Sequence, residues 1–146
     1  MDFMKEALKE AYKAKDKGEV PVGAVIVKDN KIIARAHNLR ESLNSPIAHA
    51  EILAIEEASK TLGSWRLNGC ELFVTLEPCP MCAGAILQSR ISRLYIGTFD
   101  ESSGACGSVI NLVQNRNLSY FLEVNWNYNE ECSRVLSEFF KEKRRT

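Results

Sequence analysis

The chain has 146 residues, of which 45% are hydrophobic and 26% charged, and its 19 basic and 19 acidic side chains leave no net charge. These values are those of one ordinary globular domain covering residues 1–146, and the zero net charge gives no sign of a general nucleic-acid binder. No apolar run approaches the roughly 18 residues of a membrane span, and the first residues lack the features of a secretory signal, so we expect a cytoplasmic protein without a membrane segment.

Hydrophobic periodicity predicts four helices and five strands in the order α-β-β-α-β-α-β-β-α. The helices are expected at about residues 2–17, 49–62, 78–89 (started by Pro78 and Pro80) and 130–145. The strands are expected at about residues 22–27, 31–36, 71–76, 93–97 and 120–124. Residues 98–108, rich in Gly and Ser, predict a loop, and residues 109–113 a short helical turn. This order predicts an α/β fold in which helices cover both faces of a sheet.

Two short segments carry the clearest chemistry, namely His49-Ala50-Glu51 and Pro78-Cys79-Pro80-Met81-Cys82. Cys79 and Cys82 are three residues apart at the predicted start of a helix, so their sulfurs project from one face. The electropositive N-terminus of that helix stabilises thiolates, and proline suits its first position. His49 also begins a predicted helix. We therefore predict that two helix N-termini converge on one metal ion.

The donor set predicts a catalytic zinc ion, because one imidazole and two thiolates leave a fourth position open for water. Glu51, two residues after the histidine, is the candidate base for that water, although an ordinary solvated glutamate is the alternative. A structural zinc would need a fourth ligand, and the candidates, which lack paired spacing, are His37, Cys70, Cys106 and Cys132. An odd number of cysteines argues against a disulfide framework, and Cys70 and Cys132 fit a core role better. Buried thiols with no metal are the remaining alternative.

The pattern His-x-Glu followed by Pro-Cys-x-x-Cys is the signature of the zinc nucleobase and nucleoside deaminases. The similarity extends over about residues 3–145, and the chain resembles the bacterial tRNA-specific adenosine deaminases. The segments that carry this resemblance are residues 19–24, 36–38, 48–52, 75–79, 81–85, 89–91 and 104–108. It implies a cytidine-deaminase-like, three-layer α/β/α fold with a mixed five-stranded sheet. It also implies a homodimer that converts adenosine to inosine at the wobble position of a tRNA, commonly an arginine tRNA.

The same resemblance implies the roles of individual residues. One zinc ion per chain would be held by His49, Cys79 and Cys82. Glu51 would move protons while zinc-bound hydroxide attacks C6 of the base. By position, Asn38 would contact the flipped nucleoside and Asp100 a flanking nucleotide, and the final helix, with Phe139 and Phe140, would lie beside the anticodon loop. Alternatively, Asn38 caps a strand end, Asp100 belongs to a turn and one phenylalanine is core.

Other functions share parts of this pattern. A free-base or nucleoside deaminase for guanine or cytosine has the same signature, but residues 104–108 and the basic final helix favour the tRNA reading. That helix ends in Lys141, Lys143, Arg144 and Arg145. This charged end either contacts the phosphates of an anticodon stem-loop or is simply a charged, frayed end of the helix. A riboflavin-pathway deaminase would need an attached reductase domain. A non-enzymatic RNA-binding module is disfavoured because all the candidate ligands and Glu51 are present.

Overall fold

The computed structural model describes residues 1–145, in which the strands form one five-stranded sheet and the helices pack around it. The helices are α1 (Phe3–Asp16), α2 (Ala50–Leu62), α3 (Pro80–Gln88) and α4 (Glu130–Arg145). The strands are β1 (Gly23–Lys28), β2 (Lys31–His37), β3 (Glu71–Val74), β4 (Arg93–Ile96) and β5 (Glu123–Trp126). Within the described residues, no helix combines the length and apolar character that crossing a bilayer requires.

The sheet is mixed, with the strand order β2-β1-β3-β4-β5. Strand β1 is antiparallel to both β2 and β3, whereas β3, β4 and β5 run parallel to one another. The carboxyl ends of β2, β3, β4 and β5 consequently meet at one edge, which we call the site edge. Loops that leave this edge of an open α/β sheet commonly form the binding site.

Helices cover both faces of the sheet because the strands bury side chains on both sides. Along β1, Ala24 and Ile26 pack with residues of α2 and α3, while Val25 and Val27 pack with residues of α1 and α4. All four side chains are fully buried. The predicted three-layer α/β/α fold with a mixed five-stranded sheet is therefore confirmed, with one apolar core on each side of the sheet.

Helix α1 lies unusually close to the sheet at Gly23. A Cβ atom at this position would lie only 2.0 Å from the carbonyl oxygen of Ala7. A side chain here would therefore push helix and strand apart, which explains a glycine at the start of a buried strand. At the start of the same helix, the carboxylate of Asp2 caps α1 by accepting the backbone N–H of Lys5 at 3.1 Å.

The structure corrects two of the predicted elements. Strand β5 begins at Glu123, not near Tyr120, because the N–H of Leu122 donates to the carbonyl of Val113 and the ring of Tyr120 lies against Arg90, at 3.7 Å from the guanidinium. Residues 109–113 do not form a helical turn. There the chain folds back on itself, with a bridge between Cys106 and Asn111 that encloses Gly107, whose φ is 137°.

Candidate active site

His49, Cys79 and Cys82 converge at the site edge, as the two helix starts suggested. His49 is the N-cap residue of α2 and Cys79 that of α3, while Cys82 lies in the first turn of α3. The Nδ1 atom of His49 lies 3.7 Å from the sulfur of Cys79 and 3.3 Å from that of Cys82. Neither N-cap side chain bonds to its own helix. Both are thus available for another partner.

The spacing of these donor atoms fits a tetrahedral zinc ion. Zinc bonds of about 2.3 Å to sulfur and about 2.0 Å to nitrogen would separate the sulfur and nitrogen atoms by about 3.6 Å. The observed separations lie close to this value, and all three donor atoms lie within 4.8 Å of one another. Among residues 1–145, which include all five cysteines and both histidines, no fourth protein donor joins the group. The structure thus favours an open catalytic site over a closed structural one.

The electrostatics of the two thiols also favour a cation. A hydrogen bond from Cys82, together with one from His49, lowers the pKa of Cys79 to about 4. The bond with Cys79 and the burial of the side chain raise the pKa of Cys82. One thiolate therefore forms readily, and its negative charge disfavours ionisation of the second thiol beside it. A bound cation would offset this repulsion, because coordinated thiols are deprotonated.

Glu51 is a buried carboxyl group beside the metal ligands. Its side chain is 4% exposed, on the inner face of the first turn of α2. Burial raises the pKa of Glu51 to about 7, despite the opposing effects of the helix N-terminus and of the neighbouring His49 and Cys82. A carboxyl group with such a pKa can both accept and donate protons near neutral pH. The alternative of a solvated helix glutamate is excluded by its burial.

A cavity of about 1160 Å³ opens at the site edge above His49, Glu51 and Cys79. Its walls come from the ends of β2, β3 and β4 and from one side of α4. The residues that line it beyond the metal ligands and Glu51 include Val20, Val22, Asn38, Arg40, Leu76, Glu77, Phe99, Asp100, Tyr128, Leu136 and Phe140. All three predicted substrate-contacting residues, Asn38, Asp100 and Phe140, belong to this lining.

Asn38 and Asp100 both have local bonds in addition to their place in the cavity wall. The amide of Asn38 donates to the carbonyl of Val20 at 3.2 Å and accepts the N–H of Arg40 at 3.1 Å. An asparagine amide retains a further donor and acceptor beyond these two bonds. The carboxylate of Asp100 accepts bonds from the N–H and hydroxyl groups of Ser102 and Ser103. Asp100 is therefore a turn residue whose turn faces the cavity.

The two phenylalanines of α4 have different environments. Phe139 is 6% exposed and belongs to the core, whereas Phe140 is 45% exposed and lines the cavity. The expectation that one of them is a core residue is confirmed. Beyond Phe140, residues 141–145 are exposed, so the basic end of α4 extends from the rim of the cavity into solvent.

The remaining cysteines and the second histidine lie apart from the ligand group. Cys70, Cys106 and Cys132 are buried free thiols, and burial raises the pKa of Cys106 well above the range of a reactive thiol and that of Cys132 to about 12. The core role expected of Cys70 and Cys132 is confirmed by their complete burial. His37 bonds instead to Glu10, at 2.9 Å, and to Lys17.

Several lining residues were not predicted from the sequence. Arg40, Phe99 and Tyr128 line the cavity without belonging to any recognisable motif. The exposed ring of Phe99 lies 4.8 Å from that of Trp126 and 6.3 Å from that of Tyr128, so three aromatic side chains group at the mouth of the cavity. The sequence offers one signal for these three aromatic residues. They lie shortly after β4 and at or just after the end of β5, and both strands end at the site edge.

Comparisons with known proteins agree with this geometry. Residues 1–98 match the family model described as the cytidine and deoxycytidylate deaminase zinc-binding region. A tRNA-specific adenosine deaminase from Bacillus subtilis (strain 168) is 54% identical over 144 residues, which cover 98% of this chain and 89% of that protein. The matched family region contains His49, Glu51, Cys79 and Cys82.

Two solved structures extend the comparison to the fold. One, from a study of A-to-I editing by tRNA:A34 deaminases at the wobble position of transfer RNA, superposes with a TM-score of 0.88 at 43% identity, covering 92% of this chain and 98% of that one. A guanine deaminase from Bacillus subtilis superposes with a TM-score of 0.66 at 32% identity, covering 99% and 92%. The chain is thus more similar to the first in both sequence and shape.

Proposed function

This chain belongs to the cytidine and deoxycytidylate deaminase family, and within it to the tRNA-specific adenosine deaminases, and we propose on that basis that it converts adenosine to inosine at the wobble position of a tRNA. The observation that carries the proposal is the group of His49, Cys79 and Cys82 beside the buried Glu51, at the floor of a wide cavity. The reaction consumes one water molecule and releases ammonia.

One zinc ion per chain is the cofactor, and His49, Cys79 and Cys82 are the residues that would hold it. Bound zinc lowers the pKa of water and so supplies a nucleophile at neutral pH. Two thiolate ligands place more negative charge on the metal than neutral imidazoles would. Water bound there would be less acidified, so the chain would need to supply a base of its own.

Glu51 is the residue that supplies this proton transfer. Its carboxylate accepts a proton from the attacking water, and the resulting acid donates a proton to N1 of adenine. Protonation at N1 makes C6 more electrophilic. The water oxygen then bonds to C6. Glu51 moves the proton of the new C6 hydroxyl to the exocyclic nitrogen, the C6–N bond breaks, and ammonia departs as the C6 carbonyl forms. A pKa of about 7 suits both directions, because neither protonation state is then strongly favoured at neutral pH.

The shape and charge of the cavity support an RNA substrate. Its volume of about 1160 Å³ exceeds the range of about 300–1,000 Å³ that is common for small-molecule pockets. Phe140 and the aromatic group at Phe99 stand at its mouth, where unpaired bases flanking the target could stack. The exposed basic end of α4 continues from this rim and can contact phosphates. An anticodon loop presents unpaired bases, so extruding one costs little beyond lost stacking.

A free-base deaminase, with guanine or cytosine as the substrate, is the second candidate and has less support. The guanine deaminase of known structure shares the fold but is the less similar of the two solved structures compared. A free base would fill only part of the cavity. It would also leave the rim at Phe140 without a partner.

The finer features of the substrate and assembly are part of the same proposal. We expect an anticodon stem-loop to be sufficient for recognition and an arginine tRNA to be the natural substrate. We also expect a homodimer, a cytoplasmic location and a single domain of residues 1–146. The substrate and the dimer are expected from the resemblance to the tRNA-specific enzymes, whereas the location and the single domain are expected from the length and composition of the chain. Sedimentation of the purified protein at micromolar concentration tests the dimer directly.

The decisive experiment compares substrates with one purified, zinc-loaded protein. An anticodon stem-loop with adenosine at the wobble position is incubated with the enzyme, in parallel with free adenosine, cytosine and guanine. Inosine formed in the stem-loop alone supports the proposal. Turnover of guanine alone would replace it with the second candidate. A stem-loop with adenosine elsewhere in the loop is the matched control, because it keeps the charge and removes the target.

A further inference from the structure

We propose that Glu77 is a positioning residue that holds the loop of residues 98–108 in place as one wall of the cavity. The inference rests on the proposed function for its kinetic test, but its structural basis is independent of the substrate. Glu77 lies three residues after the end of β3 and two residues before the ligand Cys79. Its side chain is 2% exposed, although carboxylates are rarely buried so completely.

The Glu77 carboxylate collects donors from both ends of the loop. Its Oε1 atom accepts the N–H of Asp100 at 3.0 Å, and its Oε2 atom accepts the N–H groups of Cys106 at 3.0 Å and of Ser108 at 3.1 Å. The hydroxyl of Ser108 donates to Oε1 as well. Within residues 1–145, every hydrogen bond found for this carboxylate comes from that one loop. Four donors thus fix a segment that has no regular secondary structure.

A carboxylate is required here because all four partners donate. An ionised carboxylate offers only acceptor positions, whereas a glutamine amide offers one acceptor oxygen and a nitrogen that itself donates. In a Gln side chain at this position, the nitrogen would face an N–H group. At least one backbone donor would then lose its partner inside a buried region, which is costly.

The loop is wrapped tightly around this side chain. A Cβ atom at Gly104 would lie 2.4 Å from the Cδ atom of Glu77 and 2.5 Å from the carbonyl oxygen of Asp100. Gly104 therefore permits the close approach that brings the donors within range. Two backbone bonds complete the attachment, from Glu77 to the carbonyl of Thr98 and from Ala105 to the carbonyl of Pro78, both at 2.9 Å.

The contacts link the metal-binding segment to the substrate-facing wall. Pro78 and the ligand Cys79 follow Glu77 directly, and the loop carries Phe99 and Asp100, which line the cavity. Glu77 thereby sets the distance between the reacting centre and the side chains available to a flanking nucleotide. On the opposite wall, Glu19 makes a similar arrangement, in which its buried carboxylate accepts the N–H groups of Glu41 and Ser42.

The test replaces Glu77 by Gln and measures steady-state kinetics on the stem-loop, zinc content and hydrogen exchange of the loop. We expect KM to rise by about tenfold or more, with a smaller fall in kcat. This change in KM corresponds to the loss of one hydrogen bond to a charged acceptor. Zinc content should remain at one per chain, and exchange should accelerate within residues 98–108. The matched control is Glu10→Gln, which removes another buried carboxylate that does not line the cavity, and it should leave KM unchanged.

Ser108→Ala keeps the test meaningful if Glu77→Gln folds poorly, because it removes only the hydroxyl bond. It should raise KM modestly, and it should have no further effect in the Glu77→Gln background, since the bond that it removes is already weakened there. Unchanged KM and unchanged exchange in both variants would overturn the proposal, as would activity lost in proportion to zinc. A wild-type protein without activity on the stem-loop would instead count against the proposed function, and hydrogen exchange would still decide the role of Glu77.

Discussion

Phe139 and Phe140 are adjacent on α4 and their rings meet edge to face, with centroids 5.4 Å apart and planes at 76°, yet only Phe140 reaches the cavity. Phe139 is buried, with 6% of its surface exposed. Replacing Phe139 by Ala should lower the free energy of unfolding by about 3–5 kcal/mol. Phe140→Ala should leave stability nearly unchanged and raise KM for the stem-loop. Urea denaturation and kinetics on both variants test this pair, and equal effects on stability would contradict it.

Replacing Glu51 by Gln should abolish turnover while leaving zinc and RNA bound. The amide keeps the size of the side chain but cannot take up and return the proton, and we expect a loss of about 10²–10⁴-fold in kcat. Glu56→Gln is the matched control, since Glu56 lies on the same helix but is exposed. Inosine formation, zinc content and RNA affinity are measured in parallel. Wild-type activity in Glu51→Gln would remove Glu51 from the mechanism.

Cys82→Ala should lose zinc, and with it both activity and part of the stability. Metal binding that requires the folded ligands stabilises the folded state, so a chelator should lower the Tm of the wild type. The same chelator should have no effect on Cys82→Ala. Cys70→Ala removes a buried thiol outside the ligand group and should keep one zinc per chain. Metal analysis and thermal unfolding with and without chelator distinguish the variants.

Binding of the stem-loop should depend on salt through the basic end of α4. Each basic side chain that contacts a phosphate contributes roughly one unit to the slope of log affinity against log salt concentration. Arg144→Gln and Arg145→Gln together should reduce that slope. Lys31→Gln is the control, because Lys31 is the first residue of β2, at the end of the strand away from the site edge. Equal slopes for all these proteins would show that the basic end does not contact the RNA.

Glu10 should contribute stability that is lost in acid. Burial alone would raise the pKa of Glu10, but hydrogen bonds from Lys13 and His37 outweigh it and hold the pKa below its ordinary value of 4.5. The folded state therefore binds this proton more weakly than the unfolded state. The contribution is present above pH 4.5 and is lost as the pH falls through the lower folded value. Glu10→Gln should thus be destabilised at neutral pH, with a difference from wild type that shrinks in acid.

Urea midpoints of the wild type and of Glu10→Gln, measured at neutral pH and near pH 3, test this expectation. His37 and Lys13 face the carboxylate directly, and Lys17 bonds to the far side of the His37 ring. A difference that stays constant with pH would show that the lost stability comes from packing. Either result leaves the role of Glu10→Gln as a kinetic control intact, since Glu10 lies outside the cavity lining.

The metal site was predictable because its signals are local. His49 and Cys79 each stand at the start of a helix whose periodicity is visible in the sequence, and Cys79 and Cys82 share one helical turn. The two helix starts converge because α2 follows β2 and α3 follows β3, and both strands end at the site edge. The burial of Glu51 was less evident, because its distance from His49 along the helix would place the two residues on opposite sides in mid-helix. The extended N-cap backbone of His49, at ψ 152°, removes that obstacle.

The remaining differences arise from contacts between distant segments. The sequence around Tyr120 has strand propensity, but its ring lies on Arg90, and pairing with β4 starts only at Glu123. Likewise, Glu77 resembles an ordinary acidic residue before a proline. Its four donors lie between 23 and 31 residues further along the chain, and no local pattern indicates them.

The placement of the two cores has a consequence for altering this protein. The residues that would perform the chemistry belong to the layer of α2 and α3, whereas Leu136 and Phe140, which line the cavity, belong to α4 on the other side of the sheet. The sheet separates these layers, so changes on α4 reach the reacting centre only through the cavity itself. New target preferences are therefore best sought by randomising the exposed side of α4, with the catalytic layer left as it is.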